Sequence, residues 1–223
     1  MKIAVFDFDR TLFPKDTIPY LMKQWYKLKY SRFKVIRIYI SLLPAYVVYK
    51  LGIGNKKTNE RLRLIAVNGF NNLFMGLSKD NIEEFFTRVG DNIIDMLNEQ
   101  VVNELKNAQK NGFHTVIISG AYLPLLNYIA KNLNVDTILG TEICYTQDGI
   151  YDHNKGMKVI NGDEKAFLIK ETFPDGDIDW DNSYAYSDSI RDIDLLNLVG
   201  NPVVVNPDQE LSEIAKNSKW RTI

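Results

Sequence analysis

Ile3-Ala4-Val5-Phe6-Asp7-Phe8-Asp9-Arg10-Thr11-Leu12 decides the reading of this chain, because a short apolar run there ends abruptly in two carboxylates and a hydroxyl. Four consecutive apolar residues after Lys2 suit a strand buried on both faces of a parallel sheet, with Asp7 and Asp9, two apart, on one side of its C-terminal end. Ligands bind at that end in open α/β sheets. Two carboxylates this close repel each other unless a cation or a shared proton is present, so the pair costs stability and asks for a divalent metal.

The rest of the composition sets limits around that stretch. With 223 residues the chain has room for one large domain, or for a core domain carrying a smaller insertion. Hydrophobic residues at 45% and charged residues at 25% are ordinary for a globular protein, so a sizeable core is expected. The net charge of −1 offers no electrostatic footprint for nucleic acid, and none is expected as a partner. Cys144 is the one cysteine and has no internal disulfide partner, which fits a reducing, cytoplasmic setting and a small buried apolar residue. The apolar run at the N-terminus stops at Asp7, too soon for a signal-peptide core, and is read as the first strand. Nothing in the residues sets an oligomeric state.

After Leu12 the pattern turns helical. Asp16 or Thr17 can cap a helix through about Lys29, and Ser31 a second through about Lys50. Val35 to Ile53 is largely apolar but carries Arg37, Pro44 and Lys50, and charges within a membrane span are expensive, so it is read as a packed helix. A second reading is a helix lying on a membrane surface, since Lys27, Lys29, Arg32, Lys34 and Arg37 precede or open the apolar run. Gly52-Ile53-Gly54-Asn55 is a break, Lys57 to Phe74 reads as another helix, and Ser78-Lys79-Asp80-Asn81 opens one running to about Val89.

Asn92 to Asn111 reads as one long helix from the spacing of Ile93, Ile94, Met96, Leu97, Val101, Val102, Leu105 and Ala108, with Asn111-Gly112 ending it. The strand His114 to Ile118 then runs into Ser119-Gly120, with a helix expected from Ala121 to Asn132. Beyond it come a strand at Thr137 to Leu139, a hairpin from Glu142 to Tyr151 around Gln147-Asp148-Gly149, and a helix at Glu164 to Thr172. A strand at Tyr184 to Tyr186, a helix at Ile190 to Leu198, a strand at Val203 to Val205 and a last helix at Asp208 to Asn217 complete the series. The expected fold is α/β, a doubly wound parallel sheet with an inserted helical cap: residues 1–16 and 90–223 form the core and 17–89 the cap. A cap inserted at the active end of the sheet is well sited as a lid.

Four stretches converge on that sheet edge. The first offers Asp7, Asp9 and Thr11; the second offers Ser119 and the amide of Gly120, a hydroxyl and amide suited to phosphate oxygens at a helix N-terminus. The third, Gly162-Asp163-Glu164-Lys165, supplies a cation to offset repulsion between the carboxylates and a phosphoryl group. The fourth, Tyr184 to Asp192, places Asp188 and Asp192 just past a strand and completes an oxygen-rich pocket for Mg²⁺. Each has a commonplace reading alone: a solvated acid pair, a helix cap, a surface lysine, a turn acid. Their order and placement together are specific.

On these residues the chain resembles the haloacid dehalogenase (HAD) superfamily, in the branch that holds the phosphoserine phosphatases (subfamily IB). The matching motifs are Phe6 to Leu12, Val116-Ile117-Ile118-Ser119-Gly120-Ala121, Gly162 to Lys165 and Tyr186-Ser187-Asp188-Ser189-Ile190-Arg191-Asp192, with Val204-Val205-Asn206-Pro207-Asp208, Leu211, Ala215 and Trp220 similar to the end of that branch. The resemblance implies a Mg²⁺-dependent phosphomonoester hydrolase working through an aspartyl phosphate. Asp7 would be the nucleophile and Asp9 the acid and base. Mg²⁺ would be held by the Asp7 side chain, the Asp9 backbone carbonyl and Asp188, with Asp192 acting indirectly. Thr11, Ser119, the Gly120 amide and Lys165 would bind the phosphoryl oxygens.

For the substrate, the resemblance implies a small phosphomonoester such as phosphoserine. The family's Glu facing the substrate amino group is Asp16 here, which keeps the charge with a shorter reach. The family's cap Arg, which pairs with the substrate carboxylate, falls at Asn68, leaving Arg61 and Arg63 upstream as replacements or as solvated charges. The apolar, basic-flanked cap is similar to that of relatives acting on lipid phosphates, the phosphatidylglycerophosphate phosphatases, which is the alternative. A phospho-accepting receiver-type signalling module also uses acids, a hydroxyl and a lysine, but Asp9 and the inserted cap argue for turnover. Asp9 also points away from a dehalogenase.

Overall fold

The computed structural model describes every residue except 29, 51–64, 156, 158, 175 and 177. The stretch quoted above forms β1 (Ile3–Phe6), four residues fully buried along their length. It runs parallel to β2 (His114–Tyr122) on one side and to β4 (Tyr184–Ser187) on the other. With β3 (Thr137–Thr141), β5 (Asn201–Val204) and β6 (Arg221–Thr222) the sheet has six strands in the order β3-β2-β1-β4-β5-β6, every pairing parallel. The doubly wound parallel sheet expected from the sequence is therefore the observed fold class.

Strand order determines where chemistry can sit. The chain builds outward from β1 to β3, returns, and then builds outward through β4 to β6. The reversal leaves a crevice beyond the C-terminal ends of β1 and β4, the place where ligands bind in such sheets. Asp7 follows β1, with its amide donating to the Tyr186 carbonyl at 3.0 Å, and Asp188 follows β4.

The chain divides into two compact units. One comprises Met1–Asp16, Phe85–Ile143 and Met157–Ile223, the other Thr17–Glu84 and Cys144–Gly156. In the first, Ile3, Val5, Val116, Ile118, Ala185 and Val204 of the sheet pack with Ile169 of α7 (Gly162–Thr172), Leu195 and Leu196 of α8 (Ile193–Leu198), and Leu211 and Ala215 of α9 (Gln209–Ser218). Phe6 and Tyr186 stack at 4.4 Å between ring centres, which ties β1 to β4 next to the acids.

The second unit holds α1 (Thr17–Lys27), α2 (Arg32–Lys50), helical residues 65–71 as α3, and the start of α4 (Lys79–Ile94). Trp25, Phe70 and Phe74 meet edge to face at 5.2–6.1 Å, and Phe74 meets Tyr151 at 5.8 Å. The turn around Gly149, expected in the core stretch, belongs instead to this unit. Ser78 bridges Ile150, Lys79 donates its amide to the Gly149 carbonyl at 2.8 Å, and Tyr151 donates to Leu77 at 3.0 Å. At the other boundary, Phe85–Val89 fall with the core unit, where Phe86 packs on Tyr122.

Two elements correct the sequence reading. The helix expected over Asn92–Asn111 is two, α4 ending at Ile94 and α5 (Glu99–Lys110) starting afresh. Asn98 caps the second by accepting from Gln100 N at 3.1 Å, while its own amide donates to the Leu12 carbonyl at 2.8 Å. Apolar periodicity runs on across the break, so spacing alone could not show it. Likewise, the helix expected from Ala121 starts two residues later as α6 (Leu123–Leu133), with Pro124 in its first turn, and β2 continues to Tyr122. The first part of the helix expected over Lys57–Phe74, the break at Gly52–Asn55, and Arg61 and Arg63 lie outside the described residues.

Candidate active site

The turn after β1 is wound tightly by its own backbone. Phe13 donates to the Phe8 carbonyl at 2.8 Å and Leu12 to that of Asp7 at 3.4 Å. Arg10, in the middle, has φ 57°, a left-handed conformation costing a non-glycine residue about 1–2 kcal/mol. Its guanidinium pairs with Asp16 Oδ2 at 2.8 Å, both side chains being about half exposed.

Lys165 is the centre of the buried part. Its Nζ lies 2.6 Å from Asp7 Oδ1 and 2.7 Å from Asp192 Oδ2, bridging the acid after β1 to the acid after β4. Asp7, Lys165 and Asp192 are all at most 5% exposed. Removing Lys165 would leave two carboxylates buried without their cation, a loss of about 3–5 kcal/mol. Gly162 makes the bridge possible: a Cβ there would lie 2.6 Å from Arg191 Cβ and 2.7 Å from the Arg191 carbonyl oxygen, so only glycine lets α7 start against the Asp192 segment.

The segment after β4 is organised in turn. Ser187 Oγ donates to Asp192 Oδ2 at 2.6 Å and accepts from the Ser189 amide at 3.2 Å. Asp208 fastens the far side: its amide donates to the Asp188 carbonyl at 3.0 Å, and its carboxylate accepts from Ile190 N at 3.2 Å and from Leu211 N at 2.8 Å. The sequence motifs contain Ser187 and Asp208 without marking a role for either, and the one visible signal for Arg10 is an arginine between Asp9 and Thr11.

Charge in the site is unbalanced. Asp7, Asp188 and Asp192 are buried, and Lys165 is the one buried cation among the described residues. Burial pushes the Asp7 carboxyl up to about 8, against the pull of the Lys165 ammonium and with a further push from Asp192. Burial also raises Asp188 to about 7, opposed by Arg10 and reinforced by Asp192. Lys165, held between two carboxylates, is raised despite its burial and stays charged. Asp7 and Asp188 are hard oxygen donors of the kind that could hold Mg²⁺, which is usually bound by one or two carboxylates together with water and phosphate oxygens.

The hydroxyls complete the picture. Thr11 Oγ1 is buried with no hydrogen-bond partner among the described residues, and a buried hydroxyl left unpaired costs about 1–3 kcal/mol. Ser119 is buried with its Oγ accepting from Ala121 N at 3.2 Å, and the Gly120 carbonyl accepts from Thr141 Oγ1 at 2.8 Å. Ser119 and Gly120 lie within β2, where its register with β3 shifts between Ile118 and Tyr122, and not at a helix N-terminus. The expectation of an amide cradle at a helix start is corrected accordingly. Asn68, on α3, is exposed.

Comparison with known proteins follows this geometry. The sequence model of the haloacid dehalogenase-like hydrolases matches residues 4–197. The chain is 26% identical over 218 residues to the "Inhibition of morphological differentiation protein" of Streptomyces azureus, covering 97% of this chain and 76% of that protein. It is 29% identical over 151 residues to a histidinol-phosphatase of Neisseria meningitidis, covering 64% of this chain and 66% of that one. A substrate-bound phosphoserine phosphatase superposes with a TM-score of 0.64 at 16% identity, over 100% of this chain and 92% of that chain, a likeness of fold.

Proposed function

The chain belongs to the haloacid dehalogenase-like hydrolase family as a phosphomonoester hydrolase, and on that footing we propose that it splits a small phosphorylated metabolite in two steps with Asp7 as nucleophile. The observation that carries this reading is the buried Lys165 ammonium set between Asp7 and Asp192, 2.6 and 2.7 Å away, at the strand reversal. Lys165 holds Asp7 Oδ1, which fixes the carboxylate and leaves the other oxygen to attack phosphorus. The bond from phosphorus to the substrate oxygen breaks as the bond to Asp7 forms, and Asp9 gives that leaving oxygen a proton. Asp9, now a carboxylate, takes a proton from water, whose oxygen attacks phosphorus and returns Asp7 and inorganic phosphate. Thr11 Oγ1, buried and without a partner among the described residues, and Ser119 are the hydroxyls for phosphoryl oxygens, beside the Lys165 charge.

Mg²⁺ fits the donor set, with the Asp7 and Asp188 side chains and the Asp9 carbonyl to hold it and Asp192 acting indirectly through Lys165 and Ser187. When bound, it supplies the positive charge that offsets repulsion between the carboxylates and the phosphoryl group.

Phosphoserine is the first candidate substrate, and the Arg10–Asp16 pair supports an amino-acid phosphate. The two hold each other at 2.8 Å with half-exposed side chains. A zwitterionic substrate offers each its opposite charge: Asp16 meets the amino group and Arg10 the carboxylate. In this way Arg10 would do what Asn68 cannot.

Asp7→Asn tests the mechanism. The variant is expected to fold, and to lack hydrolysis of p-nitrophenyl phosphate and the acid-quenched phosphopeptide containing residue 7 that the wild type yields in mass spectrometry. Substantial retained turnover would sink the nucleophile assignment.

A further inference from the structure

Helix α2 (Arg32–Lys50) is apolar on two faces. Val35 and Ile38 are buried, whereas Phe33, Ile36, Ile40 and Leu43 stand 83%, 46%, 64% and 58% exposed, with Tyr39 beside them. At 3.6 residues per turn those four fall within one arc of about 80°, on a side of the helix distinct from Val35 and Ile38. A stripe of large apolar side chains in water is unfavourable, and a contiguous one marks a surface that something covers.

Charge says what covers it. From Thr17 to Asn59 the sequence holds nine Lys and Arg residues and no Asp or Glu, although the whole chain has 27 of the one and 28 of the other. The remaining chain thus carries 18 basic against 28 acidic residues, and the positive charge is concentrated on the segment bearing the stripe. Lys34 and Arg37 are exposed alongside it, Lys23 and Lys27 are exposed on α1, and Arg32 lies over the Tyr26 ring at 4.9 Å. A second copy of this segment would set like charges against each other, whereas an anionic bilayer meets both the apolar stripe and the charge. No described helix is long and apolar enough to cross a membrane. With Arg32, Lys34 and Arg37 in its first turns, α2 has the pattern of a helix that lies in the interface, its apolar side chains in the acyl boundary and its cations at the headgroups.

We propose that α2 docks the protein on anionic lipid surfaces through Phe33, Ile36, Ile40 and Leu43, with Lys34 and Arg37 at the headgroup level. The proposal stands independently of the hydrolytic mechanism.

Vesicle sedimentation of the whole protein tests it. Vesicles of phosphatidylglycerol with phosphatidylcholine are expected to carry it down at low salt, pure phosphatidylcholine to bind far less, and added salt to release it. K34E/R37E is expected to weaken binding on the order of 30-fold or more, since each basic residue near an anionic surface contributes roughly fivefold. F33E/I40E is expected to abolish it. Both variants should keep their far-UV circular dichroism and wild-type turnover of p-nitrophenyl phosphate, which separates loss of docking from loss of fold. A protein without phosphatase activity that still binds anionic vesicles would overturn the mechanism and leave docking intact. No binding to anionic vesicles, equal binding to neutral ones, or a dimer in light scattering that F33E/I40E dissolves would overturn the docking.

Discussion

Arg10 is the residue on which the proposed choice of substrate turns. It sits directly after the two acids of the first motif, in a strained left-handed conformation, with its guanidinium on Asp16. Both members of that pair are about half exposed, so the contact itself adds little to stability, in the range of about 0–1 kcal/mol. In the function proposed above, its value would lie in recognition. Arg10→Gln is expected to raise KM for phosphoserine about tenfold or more with little change in kcat. KM for p-nitrophenyl phosphate, which has no carboxylate, should stay unchanged. Equal effects on both substrates in steady-state kinetics would remove the recognition role. The sequence marks Asp7, Asp9, Lys165, Asp188 and Asp192 as candidates because each follows or opens a regular element, in an order that repeats a known pattern. That Thr11 Oγ1 has no partner among the described residues is not legible there, because it depends on what every neighbour does with its own hydrogen bonds.

Among the elements, the buried strands were the most legible, since an apolar run of four residues bounded by acids has few other uses. Boundaries set by contacts distant in sequence were not. The start of α5 depends on Asn98 donating to Leu12, 86 residues earlier, and β6 is two residues long and exists because β5 pairs with it. The edge strand is pinned by Glu104 of α5, which accepts from both Arg221 guanidinium nitrogens, and from Tyr186 of β4 at 2.9 Å. Hydrogen bonding from Arg221 holds the Glu104 carboxyl below its ordinary value of 4.5, with burial opposing and Tyr186 adding to the effect. A carboxyl depressed in the folded state contributes stability above its unfolded pKa and loses it as pH falls through the folded one. Glu104→Gln is therefore expected to cost up to about 1 kcal/mol at pH 7, Arg221 being half exposed to solvent. Thermal melts of wild type and variant should converge as pH drops below about 4.5; a constant difference in Tm down to pH 3 would exclude the charge as the cause.

At the scale of the whole molecule, the sheet gathers carboxylates faster than it gathers cations. Lys165 pairs with two buried acids, Asp7 and Asp192, and Asp188 is a third, an imbalance that an added hard cation would correct. Chelation with EDTA is expected to abolish turnover and excess Mg²⁺ to restore it, with the far-UV spectrum unchanged because the core is held by apolar packing of the sheet against its helices. Full turnover after exhaustive chelation would overturn the metal requirement. The sequence by itself determined the doubly wound sheet, the identity of the acids and the basic, apolar character of the segment from Thr17 onward. Those features rest on local periodicity and on charges that can be counted along the chain. Only the tertiary structure decided that Lys165 joins Asp7 to Asp192, that Ser119 lies within a strand, that Asp16 is held by Arg10, and which face of α2 stays in solvent. Each of these depends on residues far apart in the chain being brought within a few ångströms, and burial and hydrogen-bond pairing are properties of that packing.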